Sequence, residues 1–399
     1  MIKNTKILFI CWFFYPKLGG VETVLIAQIR YLIKKGYKIS VLTSIIPNLP
    51  NNDNFEGAKI FRREFINSGK EFSKEIIESG LEEVIQNTKP DVVHFHNGSY
   101  PAGSNDMAAG AKNIMEMYKF LRNINLPLID HAHNAQLKNP EATTPLRELD
   151  WDYLICVSNF VASEWKKLGY KAKNTVVVYN GVDINRFENI APVKKMSSFR
   201  KNSNKVIFFP ARVLSISTGQ MSKQKNFALL LQACKILINK NIKNFHLVAV
   251  LNESMYRSGI NQTYEELKKF IKDNNLQKNI SFISEITPED MPKFYAAVDV
   301  VCVPSIKECF ALVYLEAMAS GKIPIATATG GSVEAIQNGK NGFLVNPDNP
   351  KILAEVLLKI IENKIDLEKI GKEGRKTIKE KFNIENMMAP VEKIYNQLI

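Results

Sequence analysis

Short apolar runs alternate with amphipathic stretches from Lys6 to Tyr179, and the same alternation begins again after residue 204. Apolar runs of about four to eight residues separated by helical periodicity make βαβ units, whose crossovers force the strands parallel. In the first half Lys6–Phe14, Lys38–Thr43, Asp91–Phe95, Leu128–His131, Tyr153–Ser158 and Thr175–Tyr179 read as strands, with a helix over Gly20–Lys35. The second half reads as strands at Lys205–Pro210, Phe245–Val250, Ile280–Ile283, Val298–Val303 and Ile323–Ala326, with helices near Phe227–Asn239 and Tyr264–Asn274. Two Rossmann-like, doubly wound α/β domains follow, residues 1–192 and 193–382. Their join is placed within Glu188–Asn204, where Pro192, several lysines and Ser197-Ser198 interrupt the apolar pattern. A chain of 399 residues suits two domains facing across a cleft. Residues 383–399 carry an apolar stripe at Met387, Val391, Ile394 and Leu398, which predicts a helix packing back on the first domain, kinked or restarted at Pro390.

With 45% hydrophobic and 23% charged residues the chain has enough apolar side chain for two cores, and disorder is excluded. Its longest apolar runs, Ile7–Tyr15 and Val300–Pro304, fall short of the roughly 20 residues a membrane-spanning helix needs. No small-residue cleavage site follows the first run, so a cytoplasmic protein is expected, with at most weak association at the inner membrane face. Five scattered cysteines point to reduced, buried thiols. The net charge of +13 lies mostly in residues 193–399, which hold 30 Lys and Arg against 20 Asp and Glu. It is spread singly over helix faces without interleaved aromatics, which argues against nucleic-acid binding. Lys59, Arg62, Arg63, Lys70 and Lys74 form the best candidate for anionic lipid, diluted by Glu56, Glu64, Glu71 and Glu75.

The most informative stretch runs from Pro304 to Gly321. It leaves a strand, turns, and enters a helix expected to begin near Phe310, whose first amides would point above the sheet as an anion site. Glu308 and Glu316 are eight residues apart, which on a helix is about 80° of net rotation and about 12 Å of rise. They cannot share one ligand atom, but they suit opposite ends of an elongated ligand, one holding a sugar and the other a ribose. The plainer alternative makes Glu316 a surface carboxylate and Glu308 a helix cap.

Taken in order, these residues resemble the retaining nucleotide-sugar glycosyltransferases of family four, which have the GT-B fold. The resemblance rests on the E-x7-E pair Glu308 and Glu316, on Gly321-Lys-Ile-Pro324 and on Thr329-Gly330-Gly331-Ser332-Val333-Glu334. Gly19-Gly20-Val21-Glu22, Val157-Ser158, Tyr179-Asn180-Gly181-Val182-Asp183, Asp299 before Pro304-Ser305, and Asn341 to Val345 support it. It implies a nucleotide-diphosphate sugar donor, UDP-linked, held by the second domain, and a glycan, lipid-linked or small-molecule acceptor held by the first. Cleavage at the sugar C1 puts negative charge on the β-phosphate, and fixed cations must meet it. Arg212 matches the family's phosphate arginine and Lys225 the lysine after it. An insertion of about eight residues near Ser215 to Ser222 separates them, which makes Lys223 a rival for Lys225.

Within the resemblance, Glu308 orients the donor sugar, Glu316 takes the ribose hydroxyls, and the amides of Phe310, Ala311, Leu312 and Val313 meet the diphosphate. Gly19 and Gly20, between strand and helix, let backbone approach the diphosphate or acceptor. His94-x-His96 and His131-x-His133 each put two imidazoles on one face of a strand, so a four-histidine metal site is conceivable. The resemblance instead singles out His133 for the donor and leaves His94 and His131 structural. Asp150-Trp151-Asp152 reads as a loop ahead of a strand, the wrong end of a parallel sheet for a ligand, and transfer without a metal or other cofactor is expected.

The sequence departs from the family pattern at Ala311, where a glycine is usual, and at Leu251-Asn252-Glu253, which replaces a glycine-rich turn. The rivals are a non-catalytic glycosyltransferase-like binding protein and another GT-B enzyme, such as a sugar phosphorylase or an epimerase. A nicotinamide dehydrogenase is disfavoured, because no G-x-G-x-x-G follows the first strand.

Overall fold

The first sheet is built from β1 (Lys6–Cys11), β2 (Lys38–Ser44), β3 (Asn52–Phe55), β4 (Ala58–Arg63), β5 (Val92–His96), β6 (Leu128–Ala132), β7 (Trp151–Cys156) and β8 (Ala172–Val177). Between them run α1 (Gly20–Lys34), α2 (Lys74–Thr88), α3 (Met107–Asn123) and α4 (Asn159–Lys167). The strand order is β3-β4-β2-β1-β5-β6-β7-β8, parallel except for β3 against β4. This computed structural model describes residues 4–17, 19–66, 69–100, 106–135, 143–203, 205–211, 224–251, 261–284 and 286–399.

The second sheet consists of β9 (Lys205–Phe209), β10 (Phe245–Val250), β11 (Ile280–Ile283), β12 (Val300–Val303), β13 (Ile323–Thr327) and β14 (Phe343–Val345). Its helices are α5 (Lys194–Ser197), α6 (Phe227–Asn239), α7 (Asn261–Asp273), α8 (Met291–Ala296), α9 (Leu312–Ala319), α10 (Ser332–Ala335), α11 (Pro350–Ile361) and α12 (Leu367–Lys381). The order β11-β10-β9-β12-β13-β14 is entirely parallel, so strand order reverses between β9 and β12. In such sheets ligands bind beyond the carboxyl ends of the strands at that reversal. In the first sheet the corresponding point lies between β1 and β5.

The chain divides into residues 1–180 with 384–399, and residues 181–383. The division falls at Asn180, ahead of the expected join at 188–204. The reason is that residues 181–193 are already bound into the second unit. Val182 donates to the Phe382 carbonyl, Val193 donates to the Lys293 carbonyl, and Arg186 donates to the Pro288 carbonyl. The terminal helix α13 (Ile384–Leu398) belongs to the first unit, where Tyr31 and Tyr37 donate to Glu392. Pro390 neither ends nor restarts it, for the helix runs on through that position.

Alternation along β5 puts Val93 and Phe95 into the core under α2 and α3, with Leu8, Ile10 and Trp151. Strand β1 stops at Cys11 rather than Phe14, and Trp12 turns to donate its indole N–H to the Asn97 and Tyr100 carbonyls. Strand β8 starts and ends earlier than its apolar run, at Ala172–Val177, paired along β7. The hairpin β3–β4 has no apolar alternation strong enough to announce it. It turns through Glu56 and Gly57, both with left-handed φ.

That hairpin also corrects the expected lipid patch. Arg62 is 2% exposed and donates to the Pro50 and Tyr15 carbonyls and to Asp53, while Arg63 pairs with Glu83. Neither guanidinium is a solvated membrane contact. Among the described residues no helix is long and apolar enough to cross a membrane.

Candidate functional site

The loop between β12 and α9 is held from three sides. Ile306 donates to the Gln224 carbonyl, Gly331 donates to the Glu308 carbonyl, and Thr327 donates its hydroxyl to the Ser305 carbonyl. Gly330 has φ 55°, and a Cβ there would stand 2.0 Å from the Glu308 carbonyl oxygen. Only glycine fits both that conformation and that approach, so the Gly330-Gly331 pair fixes where the Glu308 backbone lies.

The Glu308 side chain is 9% exposed. Lys225 Nζ lies 2.6 Å from its Oε2, and Ser305 donates its hydroxyl to the same oxygen at 3.1 Å. Lys225 stands just ahead of α6, where Asn226 takes a left-handed turn (φ 51°), a conformation asparagine tolerates. The pair therefore joins the segment after β9 to the segment after β12, at the reversal of strand order. Arg212, Lys223 and the insertion near Ser215 to Ser222 lie outside the described residues, as do Asn252 and Glu253.

Helix α9 begins at Leu312, two residues later than expected, because Ala311 is an extended N-cap (φ −80°, ψ 125°) with no side-chain capping bond. Any L-residue adopts that conformation, so the alanine at the family's glycine position costs no backbone strain. Phe310 is set before the helix, its ring 5.5 Å from that of Phe382. Leu312 and Val313 thus contribute first-turn amides, which have no partner within a helix, while Phe310 and Ala311 precede the helix. The other end of α9 is fixed by Arg375, which donates to the Ala319 carbonyl, and by Gly371, where a Cβ would meet the Gly321 carbonyl oxygen at 2.3 Å.

Glu316 sits on α9, apart from the Glu308 cluster, and its Oε2 accepts from the Tyr295 hydroxyl at 2.7 Å. Burial raises its carboxyl above the usual range, although the Tyr295 bond and the nearby Arg186 charge act the other way. The two glutamates thus keep separate partners, and neither caps the helix. Nothing in the sequence singled out Tyr295. Ser305 was visible as part of a motif, without a role.

In the first unit Gly19 is the N-cap of α1 and Gly20 its first residue. A Cβ on Gly20 would meet nothing within 4 Å, so packing does not require glycine there. His133 follows the end of β6. Its amide donates to Asn97 Oδ1, its Nε2 lies 2.9 Å from His96 Nδ1, and burial lowers its pKa to about 3. It is a neutral hydrogen-bonding imidazole rather than a cation. His94, His96 and His131 are buried beside it.

Asp150-Trp151-Asp152 is not a loop: Trp151 and Asp152 begin β7. Asp152 binds Arg122 and Lys173 and accepts from the Leu128 amide, all at the amino end of the sheet. Ser158 and Asp183 accept bonds as helix caps, and Asp299 accepts from the Val206 amide, so these motif residues have architectural work.

Comparison with known proteins agrees with the fold of two parallel-sheet α/β domains. Residues 18–186 match Glycosyltransferase Family 4 and residues 198–377 match Glycosyl transferases group 1. The chain is similar to glycosyltransferase MJ1607 of Methanocaldococcus jannaschii, at 23% identity over 98% of this chain and 97% of that one. It is 29% identical to the D-inositol 3-phosphate glycosyltransferase of Corynebacterium jeikeium over 58% of this chain and 54% of the relative. Among solved structures, Anabaena Alr3699/HepE in complex with UDP-glucose superposes with TM-score 0.74 at 19% identity, covering 98% of this chain and 99% of that one. With a Family 4 domain in the first unit and a group 1 domain in the second, the chain belongs to the GT-B glycosyltransferases.

Proposed function

We propose that this enzyme moves a hexosyl or N-acetylhexosaminyl group from a UDP-linked sugar to a glycan, lipid-linked or small-molecule acceptor, with retention at C1 and without a metal ion. The observation that carries this reading is the Lys225–Glu308 pair beside the first turn of α9, at the point where strand order reverses. A cation, an oriented carboxylate and uncapped helix amides there suit a sugar diphosphate. Complexes of HepE with UDP and with UDP-glucose support the choice of nucleotide.

In this reading Glu308, held by Lys225 and Ser305, accepts from a sugar hydroxyl rather than attacking C1. Arg212, Lys225 and the Leu312 and Val313 amides stabilise the departing diphosphate. Glu316 accepts from the ribose hydroxyls, a charge-assisted contact worth about 1.5–3 kcal/mol. The C1–O bond to the β-phosphate breaks, the acceptor oxygen bonds C1 from the same face, and its proton passes to the leaving phosphate oxygen. His133 contributes a neutral hydrogen bond to the donor, and Gly19 and Gly20 leave room for substrate.

A cytoplasmic location is part of the proposal. It is supported by five buried cysteines, none of them in a disulfide, as a reducing compartment would keep them.

The test is a panel of nucleotide sugars assayed for hydrolysis and transfer, with the anomeric configuration of the product read by NMR. Turnover with a UDP-sugar, α-linked product from α-linked donor, and no change on adding Mg2+ or Mn2+ are expected. Inverted product, or activity only with added cation, would overturn the reading.

A further inference from the structure

Strands β5 and β6 carry three histidines, His94, His96 and His131, on one face, and His133 follows β6. His96 and His131 are register partners, and His94 lies two residues back along β5. All three are essentially excluded from solvent. Among the described residues, His94 Nε2, His96 Nε2 and both ring nitrogens of His131 have no hydrogen-bond partner. Buried polar atoms are rarely left so, and four in one cluster point to a missing occupant.

One nitrogen from each of the three rings lies within 4.8 Å of the others. Ring centroids are 5.1 Å apart for His94–His96, 5.5 Å for His94–His131 and 5.0 Å for His96–His131. With metal–nitrogen bonds of about 2.0–2.1 Å, three imidazoles on a tetrahedral ion stand about 5.2 Å apart between centroids and about 3.4 Å between nitrogens. The rings are thus at the right separation; they stand 16–35° from parallel, so holding an ion requires them to turn about their side-chain bonds until the nitrogens converge. The outer contacts fit as well. His94 Nδ1 meets the Tyr395 hydroxyl at 2.7 Å and His96 Nδ1 meets His133 Nε2 at 2.9 Å. Ligating histidines are held in this way by a partner on the other ring nitrogen.

We propose that His94, His96 and His131 bind one divalent transition-metal ion of the zinc class, buried within the first unit. Neutral imidazoles select such ions over Mg2+ or Ca2+. The described residues add no fourth protein ligand to the cluster, so a water completes the coordination. The ion straps β5 to β6 and, through Tyr395, to α13. It also sets a tautomer: with His96 Nε2 on the metal, His96 Nδ1–H donates to His133, whose proton then resides on Nδ1. No step of the proposed transfer runs through this ion.

The test is titration of the chelator-treated full chain with Co2+, followed in the visible ligand-field bands of the tetrahedral ion and by metal analysis. One Co2+ per chain, displaced by Zn2+ and raising the melting temperature, is expected. Both signals are lost in His94→Gln and His131→Gln and kept in His246→Gln, the one histidine outside the first unit. Should the first two variants fail to fold, Tyr395→Phe serves, and binding there weakens 10–100-fold. Absence of the bands and of stoichiometric metal in the parent chain would mean that the cluster holds only water, and would overturn the proposal. So would bands that survive His94→Gln and His131→Gln, or an affinity unchanged in Tyr395→Phe.

Discussion

Lys225 Nζ stands 2.6 Å from Glu308 Oε2, and this contact ties the segment after β9 to the segment after β12. The carboxylate is nearly buried while the lysine is about one-third exposed. Removing the lysine therefore leaves a desolvated charge with, among the described residues, Ser305 alone, and removing both leaves none. A double-mutant cycle of Lys225→Ala and Glu308→Ala, read by denaturant unfolding, is expected to give a coupling of about 1–2 kcal/mol. Additive effects would show that the pair is not coupled in solution.

Gly330 and Gly339 both have positive φ, but only Gly330 faces an obstacle. Gly339→Ala is expected to cost about 1 kcal/mol, from conformation alone. Gly330→Ala adds a clash with the Glu308 carbonyl, so it is expected to cost about 2–4 kcal/mol and to weaken donor binding as Glu308 shifts. Thermal unfolding and titration with UDP compare the two, and equal effects would remove Gly330 from the site.

Glu316 predicts a pH dependence whose sign can be worked out. Burial raises its folded pKa above the unfolded value, so between the two values the folded chain binds more protons and stability falls as pH rises. Glu316→Gln removes that dependence. Its stability is expected to change less between pH 4.5 and pH 7 than that of the parent, while its donor binding weakens. Tyr295→Phe removes a bond that lowers the carboxyl pKa, so the acid limb of donor binding moves to higher pH. An unmoved limb in that variant would show that the hydroxyl does not tune Glu316.

Most of the second sheet was legible in the sequence because its strands read as apolar runs, the central ones buried on both faces. Phe245–Val250 and Ile280–Ile283 appear at the expected bounds. The hairpin β3–β4 was not legible, because its exposed edge strand Asn52–Phe55 is polar. The start of α9 was misjudged because Phe310 looks like a first-turn residue, whereas its ring packs against Phe382, 72 residues away, and Ala311 is the extended N-cap. Glu308 and Glu316 were legible as charges at motif spacing, and Lys225 only through the family resemblance, with Lys223 as its rival. Their partners were not, since Tyr295 and Gly330 act through tertiary contacts that no local pattern records.

Arg212→Ala tests the share of catalysis assigned to phosphate neutralisation. A cation that acts only as charge develops lowers kcat more than it raises KM. A fall of about 10²–10³-fold in kcat is expected, with binding of UDP reduced far less. Parent-like kcat would remove Arg212 from the mechanism.

The most direct measurement is a crystal structure of the chain with a UDP-sugar bound. The account predicts diphosphate oxygens within about 3 Å of Lys225 Nζ and of the Leu312 and Val313 amides, with a ribose hydroxyl on Glu316 and the hexose against Glu308. A diphosphate bound anywhere else, with Lys225 still closed on Glu308 and no ligand atom touching either, would contradict it.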